Sequence, residues 1–170
     1  KNLCCVFLGD AVLETGVFYE SLNFSILKNL PVLFVCENNF YSVYSPLKVR
    51  QPSNRKISKM LGTMGIKSYK CDGNNVLNVL NSVNKAIIHI RKGKGPVFME
   101  FSTYRWLEHC GPHYDNDLGY RSINEFNYWK KKDPILNFEK YLIKNGFLRE
   151  EILDIETKLL VDINEAFDHA

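Results

Sequence analysis

At 170 residues the chain has the length of one domain, and its 45% hydrophobic and 24% charged content is that of a soluble globular protein. A net charge of +3, with the lysines spread along the chain, argues against nucleic acid as a partner. No apolar stretch reaches the roughly 18 residues of a membrane span, so no membrane role is expected.

Residues 3–8 are a continuous apolar run ended by Gly9-Asp10, which reads as a strand buried on both faces of a parallel sheet. A helical pattern follows over residues 14–28, with Val17, Phe18, Leu22, Ile26 and Leu27 on its expected inner face. Glu20 and Asn23 sit among them with a capping or surface role expected. The next apolar run, residues 32–36, ends in Glu37-Asn38-Asn39. The three pieces make one β-α-β unit with polar residues after the C-terminal end of each strand, the edge where open parallel sheets bind ligands.

Asp10 offers a carboxylate there and Asn39 an amide oxygen, both hard ligands of the kind Mg²⁺ or Ca²⁺ takes. Their separation allows a helical crossover between neighbouring parallel strands. Mg²⁺ completes its octahedron with water and substrate phosphates, so a phosphorylated ligand is the natural partner. A helix beginning near Glu14 would aim its first NH groups at that anion.

Residues 41–54, with Pro46 and Pro52, read as a surface loop bordering the site, and residues 53–64 as a short helix stopped by Gly65. Residues 66–71 are a third strand candidate, interrupted by Lys67 and Lys70. Asp72-Gly73-Asn74 is a turn, and Asn74 or Asn75 caps a helix with Val76, Leu77, Leu80, Val83, Ala86, Ile87 and Ile90 on one stripe. His89 lies off its centre and is expected to be partly exposed. The basic RKGKG run ends that helix; it lacks the Lys-Ser/Thr of a P-loop and reads as a solvated turn. Residues 97–103 are a fourth strand, with Glu100 either paired in the core or on a polar side.

Residues 104–121, rich in aromatic, Gly and charged residues, follow a strand and belong to the same ligand-binding edge. His109, His113 and Asp115 permit a zinc reading, without a cysteine pair to support it. Cys110 beside His109 permits a nucleophile–base reading, although adjacent residues rarely face each other. A purely structural loop is a further alternative. Helices follow, one opening at Arg121-Ser122 with Ile123, Phe126 and Trp129 inward, and one restarting at Asp133-Pro134 with Ile135, Phe138, Leu142 and Ile143. Asn145-Gly146 closes it. The last runs from Arg149 with Ile152, Ile155, Leu159, Ile163, Ala166 and Phe167 on a stripe. The expected organisation is an α/β domain over residues 1–121 and C-terminal helices over residues 122–170 packed on it.

The five cysteines, Cys4, Cys5, Cys36, Cys71 and Cys110, are odd in number and include no C-x-x-C pair. Four lie in apolar runs, so buried reduced thiols in a cytoplasmic protein are expected rather than a disulfide framework. Lys1 in place of Met, directly before a strand and without a signal peptide, reads as part of a longer polypeptide.

GDA and ENN, the latter within LPVLFVCENN, resemble the thiamine diphosphate motif, whose family form begins Gly-Asp-Gly and closes with Asn-Asn. The wider resemblance spans nearly the whole chain. ETGVFYESLNFSILKNLPVLFVCENN, RKGKGPVFMEFSTYRW and LGYRS are similar to the alpha subunit of the thiamine-dependent decarboxylase component of 2-oxo acid dehydrogenases (the pyruvate, branched-chain and acetoin group).

That resemblance implies a thiamine diphosphate-binding fold, a mostly parallel sheet flanked by helices, preceded by an N-terminal part that is absent here. It implies that Asp10, Asn39 and the main-chain oxygen of Tyr41 hold Mg²⁺ against the diphosphate, with Gly9, Ala11 and Val12 beside it. TYRW and EH align with the loop whose histidine reaches the cofactor and the 2-oxo acid, which places a hydrogen-bonding or proton-transfer role on His109; a histidine titrates in the right range for it. Cys110 falls where some relatives carry a regulated serine. The implied partners are a beta subunit, in an assembly of two alpha and two beta chains, and an acyltransferase core. The carboxylate that activates the aminopyrimidine comes from beta, so this chain holds half a site. Ala11 departs from a family glycine and Thr15 from a common Glu or Gln. If position 11 needs φ > 0, alanine costs on the order of 1 kcal/mol there. These departures and the start of the chain support the alternative of a non-catalytic structural subunit that kept the fold. A different phosphate-binding α/β protein is the third reading, and it predicts nucleotide binding.

Overall fold

The structure is a computed structural model in which residues 2–170 are described. Its strands and helices, in chain order, are β1 (Cys4–Gly9), α1 (Gly16–Leu27), β2 (Val32–Asn38), β3 (Tyr41–Ser42), β4 (Ser45–Pro46), α2 (Leu47–Arg50), α3 (Ile57–Thr63), β5 (Lys67–Asp72), α4 (Val76–Arg91), β6 (Val97–Ser102), α5 (Ile123–Lys130), α6 (Pro134–Lys144) and α7 (Arg149–His169). Four strands form one parallel sheet in the order β1-β2-β6-β5, and β3 pairs with β4 as a small antiparallel hairpin. The architecture is α/β, with a parallel sheet flanked by helices on both faces.

The two central strands explain that layering. In β2, Phe34 and Cys36 turn to one face and Leu33 and Val35 to the other, and all four are buried. Phe34 and Cys36 join Phe98 of β6 in a core with Phe18 and Leu22 of α1 and Ile57 and Leu61 of α3. Leu33 and Val35 join Val97, Met99 and Phe101 of β6 in a second core under Ala86 and Ile90 of α4. Uninterrupted apolar runs are what a strand covered on both faces requires.

β1 departs from the expectation of a doubly buried strand. It lies at the sheet edge, and of its residues only Leu8 is buried. Phe7, in register with Val35, is 68% exposed, because α4 packs against β2, β5 and β6. Cys4 and Cys5 are exposed on the same strand, and Cys110 on its loop; Cys36 alone is fully buried, so the expectation of four buried thiols is corrected.

The inner face of α1 is also narrower than its apolar content suggests. Phe18, Leu22 and Ser25 are buried, whereas Val17 and Leu27 are exposed. On α4 the inward residues are Val79, Val83, Ala86 and Ile90, with Val76 and Leu80 outside. Asn75 caps that helix by accepting from the Asn78 amide at 3.0 Å. Gly65, at φ 97°, ends the turn after α3 in the left-handed region where glycine has no steric cost. Asn74 instead ties the turn to neighbouring loops: its Oδ1 accepts from Thr103 and its Nδ2 donates to the Lys132 carbonyl. His89 Nε2 donates to the Lys94 carbonyl at 3.0 Å, a local contact within the basic turn.

The chain divides into two compact units, one ending at Lys132 and one spanning Asp133–Ala170. α5 falls in the first. It is capped by Ser122, whose oxygen accepts from the Glu125 amide, and buries Phe126 and Trp129 while Ile123 is exposed. The second unit holds α6, capped by Asp133 with Pro134 in its first turn, and α7, whose Leu148 amide donates to Glu151. Neither helix has a fully buried residue; Ile155, Leu159, Ile163 and Phe167 of the α7 stripe are exposed. Among the described residues no helix is long and apolar enough to cross a membrane.

Candidate functional site

β1 and β2 are hydrogen-bonded neighbours with Gly9 opposite Glu37, so Asp10 and the Asn38-Asn39 pair leave the sheet side by side at its C-terminal edge. Asp10 opens a 3-10 turn, Asp10–Glu14, and is 1% exposed. That turn separates β1 from α1, whose first residue is Gly16 and not Glu14, and Thr15 donates to the Val12 carbonyl without capping the helix. Ala11 is absent from the residues with positive φ, which among the described non-glycines are Asn29, Phe40 and Val43. The backbone at position 11 therefore imposes no glycine-like strain, and alanine carries no left-handed penalty there. Val12 is partly exposed beside it.

The Asn-Asn corner is held by its own side chains. Asn38 Oδ1 accepts from the Phe40 amide at 3.1 Å and Asn39 Oδ1 from the Tyr41 amide at 2.9 Å. Asn38 Nδ2 donates to the buried Glu100 at 3.0 Å. The turn forces Phe40 to φ 69° and Val43 to φ 54°. Left-handed backbone at aromatic and β-branched residues is uncommon and marks a corner whose shape is over-determined by its surroundings. Here those surroundings are the two Asx bonds, the Leu47 amide donating to the Phe40 carbonyl at 2.7 Å, and the Phe40 ring against Trp129. Val43 is 38% exposed, and its carbonyl accepts from Arg105 at 2.8 Å. Val43→Asn, which tolerates the same backbone, is expected to stabilise the protein by about 1 kcal/mol, read as a higher midpoint in urea denaturation.

Tyr41 donates its hydroxyl to both carboxylate oxygens of Glu125, at 2.8 and 2.9 Å, which joins the corner to α5. Burial first, and then the Glu125 hydrogen bond, push the phenol pKa well above its ordinary value. A cavity of about 770 Å³ opens between these elements, lined by Tyr41, Lys48, Gln51, Arg55, Tyr120 and Glu125 among others.

Arg50, at the end of α2, reaches the Asp10 carboxylate with one terminal nitrogen and Glu14 with the other, the latter at 2.5 Å. Its Nε donates to the Ser45 carbonyl at 3.1 Å, and Gln51 adds a hydrogen bond to Glu14. Burial raises the Asp10 carboxyl pKa above its ordinary value, against the opposing pull of Arg50. Sequence reasoning missed Arg50: an arginine some ten positions past the corner carries no local signal of its partner.

The donors at this edge have the right chemistry for a hard divalent cation. Asp10 supplies a carboxylate, Asn39 an amide oxygen with a second lone pair, and Tyr41 a main-chain carbonyl. The residues present fit Mg²⁺, with the Asp10 carboxylate engaged by Arg50.

The loop over residues 104–121 is organised by Arg121, whose side chain is 1% exposed. It donates to the carbonyls of Arg105 and Trp106 and to Asp115, and lies against the rings of Tyr104, Tyr120 and Phe126. Tyr120 donates to the other Asp115 oxygen at 2.8 Å, and burial pushes its pKa up to about 12. Asp115 is thereby committed to a structural ion pair. Among the described residues no group of three His, Cys, Asp or Glu is placed to hold a metal, which removes the support for a zinc reading. His109, Cys110 and His113 are exposed on this loop, and His109 enters none of the hydrogen bonds among the described residues. The structure brings Asp10, Asn39 and Tyr41 to one edge; His109 stands outside their network.

The fold and this edge define an α/β protein with a ligand site built from the C-terminal ends of adjacent parallel strands. The dehydrogenase E1 component family matches residues 1–170, and the chain belongs to it. It is 34% identical over 166 residues to the 2-oxoisovalerate dehydrogenase subunit alpha of Bacillus subtilis (strain 168), covering 97% of this chain and 49% of that one. It is 37% identical over 165 residues to the pyruvate dehydrogenase E1 component subunit alpha of Acholeplasma laidlawii, covering 94% and 46%. The chain thus spans about half the length of the curated relatives it matches. Among solved structures, a transketolase variant from Pichia stipitis aligns with TM-score 0.49 and 17% identity over 60% of this chain and 15% of that one.

Proposed function

We propose that this chain is the cofactor-holding portion of the alpha subunit of a thiamine diphosphate-dependent 2-oxo acid dehydrogenase of the acyl-transferring kind. The observation that carries this reading is the placement of Asp10 and Asn39 past adjacent parallel strands, with Tyr41 next in the corner, in a member of the dehydrogenase E1 component family. Asp10, Asn39 and the Tyr41 carbonyl would hold Mg²⁺, and Gly9, Ala11 and Val12 would border the diphosphate. When bound, thiamine diphosphate supplies the nucleophile for the 2-oxo carbon and the electron sink for the charge left as CO₂ departs. The chain's own residues fix the diphosphate end and shape the corner; His109, on an exposed loop at the same edge, is the proton-transfer group. A beta subunit would complete the site in a heterotetramer and an acyltransferase core would take the product, in the cytoplasm.

One observation favours a second reading, a non-catalytic structural subunit: the Asp10 carboxylate is already satisfied inside the chain by Arg50. Calorimetric titration of thiamine diphosphate with Mg²⁺ into the full-length chain with its beta subunit separates the two. Binding in the wild type that is lost in Asp10→Ala, by at least about 100-fold as a direct ligand should exceed the effect of an outer-shell partner, supports the enzyme. A wild-type pair that binds nothing supports the structural subunit.

A further inference from the structure

The geometry points to Arg50 as an internal counter-ion that occupies Asp10 in the cation-free chain, so that a divalent cation binds Asp10 only as Arg50 leaves it, and the strength of that contact sets the cation affinity of the site. This inference rests on the reading of Asp10 as a metal ligand.

The argument starts from saturation. Every nitrogen of the guanidinium is engaged: one on Asp10, one on Glu14, and Nε on the Ser45 carbonyl. The Arg50 side chain is 10% exposed and that of Asp10 2%, so the pair is shielded from water. Glu14, at the far end of the same 3-10 turn, is the second anchor, and Gln51 secures it at 3.1 Å. A bidentate grip on two carboxylates from one short turn is the geometry for which arginine is suited and a flexible lysine is not.

A dication on the Asp10 carboxylate would stand within a few ångströms of a fixed positive charge in a poorly solvated site, where like charges repel strongly. Cation binding and the Asp10–Arg50 contact are therefore alternatives, and they share one carboxylate. Arg50 comes from the segment directly after the Asn-Asn corner, the segment that also supplies Lys48 and Gln51 to the adjoining cavity. Its release would thus be felt along that cavity wall. The apparent affinity for the cation is lowered by the fraction of molecules in which the pair is closed.

The test is Mn²⁺ binding, read from the electron paramagnetic resonance signal of free Mn²⁺ in the presence of thiamine diphosphate, in the full-length chain with its beta subunit. Arg50→Gln removes the competing charge and keeps hydrogen bonding. It is expected to bind Mn²⁺ about tenfold tighter, the shift for a pair closed nine-tenths of the time. Arg50→Lys retains the charge but loses the two-carboxylate grip, and is expected to fall between the wild type and Arg50→Gln. Glu14→Gln removes the second anchor without touching Asp10 and is expected to shift affinity in the same direction as Arg50→Gln, by less. Thermal melts without cation establish which variants fold, and Glu14→Gln decides the matter if Arg50→Gln does not. Wild-type binding with Arg50→Gln and Glu14→Gln equal to it or weaker overturns the counter-ion role and leaves the cofactor reading standing. Mn²⁺ binding absent from the wild type and every variant overturns both.

Discussion

Glu100→Leu is expected to cost the folded protein about 3 kcal/mol, although the leucine fills nearly the same volume. Glu100 sits in the middle of β6, 1% exposed, on the face that carries Phe98. Its carboxylate accepts from Asn38 Nδ2 at 3.0 Å, from Lys70 Nζ at 2.9 Å and from the Ser58 amide at 3.2 Å. The Ser58 amide belongs to the first turn of α3, so the carboxylate also satisfies an orphan donor and faces the positive end of that helix. Leucine leaves the buried Asn38 donor without an acceptor, at about 1–3 kcal/mol, and the half-buried Ser58 amide likewise, at less. Lys70, with half of its side chain exposed, returns to water at little cost. The loss therefore comes from the orphaned donors more than from the ion pair. Glu100→Gln keeps an acceptor oxygen and should cost about half as much. Urea denaturation of both variants measures this, and a leucine variant as stable as the wild type would refute the account. The consequence reaches the site, because Asn38 is also the acceptor that holds Phe40 in its left-handed conformation.

Glu100 also shows where sequence legibility ends. The apolar runs of β2 and β6 were legible as strands, and the caps at Asn75 and Asp133 were readable because each acts on an amide two or three residues away. The run of β1 looks the same as that of β2 in sequence, yet its Phe7 is exposed, since strand order within a sheet is decided by distant segments and not by local pattern. The edge location of Asp10 and Asn39 followed from strand–helix–strand alternation. The identity of Asp10's partner did not: Arg50 lies 40 positions away and comes from a short helix in what reads as a plain loop. The same holds for Glu125, which catches Tyr41 across 84 positions. Stripes on α1 and α4 were legible as periodicity but not in width, because the burial of Val17 or Leu80 depends on what lies opposite.

Arg121→Met is expected to be the more damaging of the two substitutions to the loop that carries His109, at about 3–5 kcal/mol for the state in which that loop is folded. Arg121 and Asp115 have side chains 1% and 3% exposed, so removing the cation strands a carboxylate away from water with only the Tyr120 hydroxyl as donor. It also leaves the carbonyls of Arg105 and Trp106 without their guanidinium donors. Methionine fills much of the space between Tyr104, Tyr120 and Phe126 but replaces none of those bonds. The cost need not unfold the parallel sheet: the stranded groups all lie in residues 104–121, and a segment of this kind can open on its own. The expected signature is rapid proteolytic cleavage within residues 104–121 while the urea midpoint of the core moves less than the full penalty implies. Asp115→Asn in the same chain removes the stranded charge and should recover part of the loss, an interaction energy of about 1–3 kcal/mol in a double-mutant cycle. An Arg121→Met protein with unchanged cleavage would mean that the loop is held by its aromatic contacts alone. The position of His109 relative to the Asp10 edge would then be set by Tyr104 and Trp129, which stack at 5.6 Å, and not by the buried ion pair.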